Sequence, residues 1–126
     1  MWDQDGIDYS HKSEQDINTE AFYWTLWHNE QAELNRYKHV LDDGALARLR
    51  ACESNGNYAI VSSNGAYRGA YQFSQSTWNS VANRHFGGRF AGVSPNDVPA
   101  EWQDAFTRAL YSEHGRSPWP VCGKRI

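Results

Sequence analysis

The chain has 126 residues, with 12 Lys and Arg against 15 Asp and Glu, a net charge of −3 and 14% aromatic side chains. That length supports one domain with a modest core plus an extension, and its ratio of surface to volume makes added stabilisation useful. No stretch approaches the roughly 18 apolar residues of a membrane span, and Arg48, Arg50, Arg68, Arg84, Arg89, Arg108 and Arg116 are scattered rather than clustered, which argues against nucleic acid as a partner.

Charge divides the chain unevenly. Residues 1–43 carry ten acidic against three basic side chains, a balance of −7, and residues 44–126 carry five against nine, a balance of +4. The expected organisation is an acidic N-terminal extension, 1–43, and a mildly basic domain, 44–126, suited to a polyanionic partner. Residues 1–17 are polar, with few apolar anchors, and are expected to be mobile. The start, Trp2-Asp3-Gln4-Asp5, has neither a basic region nor an apolar core, so an export signal is expected to have been removed or never to have been present. From Asn18 or Thr19 to about Leu41 the spacing predicts an amphipathic helix, with Trp27, Leu34 and Leu41 seven apart, Tyr23 and Tyr37 beside them, and Glu30 interrupting the stripe. Two heptads are too short for a coiled coil. Packing against the following domain is expected, with self-association or a protein partner as the alternatives.

Asp42 or Asp43 can cap a helix beginning at Ala45, in which Leu46, Leu49 and Glu53 fall at i, i+3 and i+7. Glu53 therefore shares a face with two leucines near the partially negative helix end. Lost solvation and the dipole both favour its protonated form, the state a general acid needs to protonate a glycosidic oxygen. The alternative is a surface glutamate that merely ends a helix.

Further on, Tyr58-Ala59-Ile60-Val61 and Tyr67 to Phe73 flank Ser62-Ser63-Asn64-Gly65, which predicts a short β-hairpin around an Asn-Gly turn. Ser74 or Ser76 opens a helix to about His85, broken by Phe86-Gly87-Gly88. Pro99 starts a last helix, in which Trp102, Ala105, Phe106, Ala109 and Leu110 form a core stripe before Gly115 ends it. The histidines at 11, 28, 39, 85 and 114 are isolated, no zinc-ligand spacing appears, and neither a nucleophile elbow nor a phosphate-binding glycine loop is present. No metal and no cofactor are expected. The two cysteines, Cys52 and Cys122, are 70 positions apart and read either as a staple or as two unrelated buried thiols.

The blocks Cys52-Glu53-Ser54-Asn55-Gly56-Asn57-Tyr58, Asn64-Gly65, Gly69-Ala70-Tyr71-Gln72-Phe73-Ser74-Gln75-Ser76-Thr77-Trp78 and Trp119-Pro120-Val121-Cys122 occur in this order. Together they resemble the catalytic domain of resuscitation-promoting factors, secreted transglycosylase-like peptidoglycan enzymes of actinobacteria. The resemblance implies a lysozyme-like, mainly helical α+β fold over roughly residues 45 to 123. It implies Glu53 as the catalytic acid, Thr77 as a residue holding the reacting sugar, and Gln72, Tyr71 and Trp78 near the glycan cleft. Asn64, Tyr67 and Arg68 are carried over from a stretch that is one residue longer here than in the common family form. A Cys52–Cys122 disulfide is also implied, and with it an oxidising compartment, so that the protein would be secreted or held at the cell wall. In the chain-entropy account, closing that loop removes roughly 4 kcal/mol of denatured-state freedom.

The chain holds 6 Trp, 7 Tyr and 5 Phe, and packing will consume most of them. Tyr67 and Tyr71, each two positions from a glycine in the expected hairpin, are the rings placed to stack on a sugar. Trp119 is read first as packing against the disulfide, and Trp78 as either core or cleft. The expected function is cleavage of peptidoglycan strands between N-acetylmuramic acid and N-acetylglucosamine. Glu53 would act first as acid and then as base. Asp97, Glu101 and Asp104 all lie outside the matching blocks, so no second carboxylate is evident, and attack by the sugar's own 6-hydroxyl is favoured over hydrolysis. The rivals are a hydrolytic lysozyme, with water oriented by Thr77 or Gln72, and a non-catalytic glycan-binding or signalling module.

Overall fold

The structure is a computed structural model that describes the backbone of residues 14–126 and the side chains from residue 21 onward. It is mainly helical: α1 (Glu14–Asn35), α2 (Asp43–Ser54), α3 (Gln75–His85) and α4 (Ala100–His114), with 3-10 turns at Pro95–Asp97 and Cys122–Arg125. Of residues 1–17, expected to be mobile, 1–13 lie outside the described residues and 14–17 form the first turn of α1. The chain divides into two compact units, one ending at Glu33 and one running from Leu34 to Ile126.

In the first unit α1 begins earlier than the spacing predicts. Its apolar residues are exposed: Phe22, Tyr23, Trp24, Leu26 and Trp27 all show large faces to solvent. The helix also stops earlier than expected. Lys38 N–H reaches Asn35 O and Val40 N–H reaches Tyr37 O, so tight turns replace the helical pattern. Leu41, read as the last member of the helical stripe, instead sits beyond the helix in the core of the second unit.

That core follows from three amphipathic helices. Asp42 caps α2, its Oδ1 accepting from Ala45 N–H at 2.6 Å, and Leu46 and Leu49 are buried on the inward face. Ser74 caps α3 through Thr77 N–H at 3.2 Å, as one of the two serines expected. Every member of the α4 stripe, Trp102, Ala105, Phe106, Ala109 and Leu110, is buried. Phe106 stacks on Trp78 at 4.0 Å and on Phe86 at 4.5 Å, joining α3 to α4 through large apolar rings. A buried Arg108 joins α4 to the start of α2, donating to Leu41 O at 3.0 Å and to Asp43 Oδ1 at 2.7 Å.

The expected hairpin is reduced to two isolated antiparallel bridges, Val61 with Arg68 and Arg68 with Phe73. Its turn forms as read: Gly65 N–H bonds Ser62 O at 2.9 Å, and Ser62 N–H bonds Tyr67 O at 2.8 Å. The arms do not extend. Asn57 folds residues 57–60 into a turn, while Gly69 and Gln72 take left-handed φ values of 82° and 55°, which interrupts pairing on the other side.

Candidate active site

Glu53 occupies the last turn of α2, which ends as Asn55 and Gly56 enter the left-handed region. Leu46 and Leu49 anchor the same helix in the core, so the carboxyl is held partly buried. Burial pushes Glu53 above the usual carboxylate value, and among the described residues no hydrogen bond or ion pair holds its charge. Beside it opens a cavity of about 280 Å³, lined also by Tyr67, Gln72, Trp119 and Val121. The Cys52–Cys122 disulfide, with Cα atoms 5.7 Å apart, brings the Trp-Pro turn alongside. This is the pairing the motifs implied.

The opposite wall is the loop from Tyr67 to Phe73, clamped from below. Gln103, buried on α4, accepts from Ala70 N–H at 2.9 Å and donates to Val98 O at 2.9 Å and Tyr58 O at 3.1 Å. The Ser54 hydroxyl donates to Ala70 O at 2.8 Å, tying the loop to the residue after Glu53. Gln72 then bends back, its Nε2 donating to Gly69 O at 3.0 Å.

A second cavity, about 120 Å³, adjoins the first and shares Tyr67, Gln72, Pro118 and Trp119 with it, and there Thr77 joins the lining. Thr77 Oγ1 accepts from the Ser74 hydroxyl at 3.0 Å, so its own hydroxyl hydrogen remains available to the groove. Glu53, Gln72, Tyr67 and Thr77 thus lie along one surface, and Tyr67 keeps an exposed ring.

Other expected site residues fall elsewhere. Trp78 is fully buried and belongs to the core, its Nε1 donating to Phe90 O at 3.0 Å. Tyr71 borders the second cavity but is only 1% exposed, so its ring has no free face for a sugar. Its hydroxyl donates to Asp104 Oδ1 at 2.5 Å, beside that of Tyr58 at 2.8 Å; burial, reinforced by Asp104, drives the Tyr71 hydroxyl far above its usual range. Arg50 donates to the same Tyr71 oxygen at 3.2 Å. Asn64 shapes the turn, accepting from Ala66 N–H at 3.0 Å, and Arg68 reaches Ser94 Oγ at 2.9 Å. Trp119, read first as a partner of the disulfide, is nearly buried, lines both cavities and donates to Tyr71 O at 3.0 Å. Gln103 was not singled out in the sequence, Arg50 appeared there only among the scattered arginines, and Asp104 only as a carboxylate outside the motif blocks, because a lone polar residue on a helix carries no signal of what it will bond.

From Leu41, the first core residue after α1, to Cys122, the second half of the disulfide, the sequence matches the Transglycosylase-like domain family over residues 41–122. The chain belongs to that family. The resuscitation-promoting factor RpfA of Mycobacterium tuberculosis is 42% identical over 84 residues, which cover 67% of this chain and 19% of that protein. The probable transglycosylase SceD of Staphylococcus aureus is 39% identical over 74 residues, which cover 59% of this chain and 30% of that protein. The matched stretches thus span less than a third of either relative. The motif resemblance to resuscitation-promoting factors is borne out. In this transglycosylase-like domain no group of His, Cys, Asp and Glu among the described residues is arranged to hold a metal ion. None of the described helices is long and apolar enough to cross a membrane.

Proposed function

We propose that residues 44–126 form a peptidoglycan-cleaving domain, with 1–43 as an acidic extension, acting outside the cytoplasm in wall remodelling or resuscitation. The observation that carries this reading is the Glu53 carboxyl, raised by burial and unpaired among the described residues, at the rim of a groove in a chain of the transglycosylase-like family. A carboxyl kept protonated can give its proton to the glycosidic oxygen between N-acetylmuramic acid and N-acetylglucosamine. The C1–O bond then breaks and an oxocarbenium-like centre develops. Glu53, now a carboxylate, takes the proton from the 6-hydroxyl of the same muramoyl sugar as its oxygen bonds to C1. Glu53 is thereby protonated again and no water is consumed.

Attack from within the sugar is favoured over hydrolysis. Glu53 is the one carboxylate among the residues lining the groove cavities, and an inverting hydrolase needs a second to activate water. Asp104, the acidic side chain of α4 with tyrosine partners, is engaged by two phenol hydroxyls. An attached hydroxyl also gains from effective molarity once aligned. Thr77 and Gln72 supply polar groups for the developing charge, and Tyr67 a ring for a sugar face. Mass analysis of the muropeptides released from purified wall tests this. Fragments ending in 1,6-anhydro-muramic acid, lighter by one water than hydrolysed ends, are expected. Reducing ends would select the lysozyme mechanism, and binding without cleavage would leave Glu53 as a ligand contact in a glycan-binding module.

A further inference from the structure

The groove continues past Thr77. Thr77, Leu110 and Pro118 line both the second cavity and a third, larger one of about 440 Å³. Its chemistry differs from the part near Glu53. There, the exposed ring of Tyr67 offers a stacking face. Here the walls carry no Trp, Tyr or Phe and instead present the hydroxyls of Ser76, Ser80 and Ser117 together with Arg84 and His114. A sugar ring would find no stacking platform in it, whereas a guanidinium among hydroxyls matches carboxylates and amides.

Arg84 is held yet unsaturated. It donates from Nε at 3.1 Å and Nη2 at 3.0 Å to one oxygen of Glu113, which uses two of the five N–H donors of a guanidinium. Its side chain remains 46% exposed. Glu113 is itself shared: His85 Nε2 contacts the same oxygen, and His114 Nε2 lies 3.6 Å from the other, beyond hydrogen-bond distance. Burial alone would raise the Glu113 carboxyl, but the hydrogen bonds of His85 and Arg84 outweigh it and hold Glu113 ionised. One carboxylate therefore orients a cation without occupying its outward donors. An exposed ion pair of this kind is also weak enough to share its cation with a second anion.

We propose that this third cavity receives a peptide arm of the wall polymer, with Arg84 binding one of its carboxylates and the serine hydroxyls meeting its amides. The proposal rests on the peptidoglycan reading above and adds a contact that selects strands by whether they carry peptides. The arm branches from the same strand that Glu53 would cleave, and the cavity adjoins that groove through Thr77.

The test measures equilibrium binding of the Glu53→Gln variant to short glycan fragments with intact peptides and to the same fragments stripped by an amidase. About tenfold tighter binding of the peptide-bearing fragments is expected, as befits a charge-assisted contact. Adding Arg84→Gln should abolish that preference, Arg84→Lys should restore part of it, and thermal melting should verify that each variant is folded. Equal affinity for the two fragments, equal weakening of both by Arg84→Gln, or no binding of either overturns the proposal. Cleavage is assayed separately on the parent chain. A peptide preference without cleavage would refute the catalytic reading and leave the arm site standing, whereas cleavage indifferent to peptides would do the reverse.

Discussion

The indole Nε1 of Trp119 donates to the backbone carbonyl of Tyr71 at 3.0 Å, a buried bond between residues 48 apart in sequence. It joins the two walls of the groove. Each wall is fixed independently, the Trp-Pro turn by the disulfide and by Gly123 N–H on Trp119 O at 2.8 Å, and the loop by Gln103. The Trp119 bond therefore sets the spacing between them.

Trp119→Phe keeps most of the apolar volume but leaves the Tyr71 carbonyl without its donor. Orphaning a buried acceptor costs about 1–3 kcal/mol, which denaturant unfolding should register together with a fall in wall cleavage. Unchanged stability would show that the carbonyl finds another partner and that this bond does not set the groove.

Glu53→Gln should abolish wall cleavage without lowering the melting temperature at neutral pH. The sign follows from the raised folded-state value: the native protein binds this proton more tightly than the unfolded chain. Glu53 thus contributes stability that is complete below the ordinary value of 4.5 and is lost as pH rises through the higher folded value. The neutral glutamine escapes that loss, so the melting temperatures of parent and variant should diverge, in the variant's favour, as pH rises from about 4. Parallel melting curves across that range would mean that Glu53 is not desolvated. Parent activity should fall on the alkaline side as the acid form is lost.

Intact mass before and after reduction with alkylation should reveal one disulfide, Cys52 to Cys122. It closes a 70-residue separation, and its removal should lower stability by roughly 4 kcal/mol in the loop-entropy account. Two thiols that alkylate without reduction would remove the staple, and with it the argument for an oxidising compartment.

Gly69→Ala and Gly65→Ala form an internal comparison. Both glycines have left-handed φ, 82° and 73°, but a Cβ at Gly69 would lie 2.5 Å from Gln103 Oε1, while one at Gly65 meets nothing within 4 Å. Gly65→Ala should cost about 1 kcal/mol from backbone strain alone. Gly69→Ala should cost about 1–3 kcal/mol more, because it overpacks a buried contact, and should also reduce cleavage by displacing the loop. Equal destabilisation of the two would mean that Gln103 yields freely and does not clamp the site.

Much of the domain was legible from spacing. Leu46 and Leu49, the Asp42 and Ser74 caps, and the stripe from Trp102 to Leu110 are all encoded within one or two helical turns, where separations of three and four residues dictate who shares a face. The same logic misled for α1. Leu41 completes a heptad with Trp27 and Leu34, yet the helix ends at Asn35 and Leu41 enters the core from beyond it. The Asn-Gly turn was readable, whereas the strands around it were not. They fail because Asn57 folds the first arm into a turn and, in the second, Gly69 and Gln72 adopt left-handed conformations, which for Gln72 local propensity does not foresee.

Residue identity and order determined the helices, their caps, the two cysteines and a motif set specific enough to name the family and to single out Glu53. Tertiary structure decided which neighbours those residues acquired. Trp78 stacks on Phe106 instead of facing a sugar, and Tyr71 turns its hydroxyl to Asp104, 33 positions away. Gln103 became the clamp beneath the groove, and Arg84 reached a cavity continuous with it. The physical reason is distance along the chain. A helical face repeats within a few residues, but a buried polar group takes whichever partner the packed fold brings within hydrogen-bond reach, and that partner is set by the path of the whole backbone.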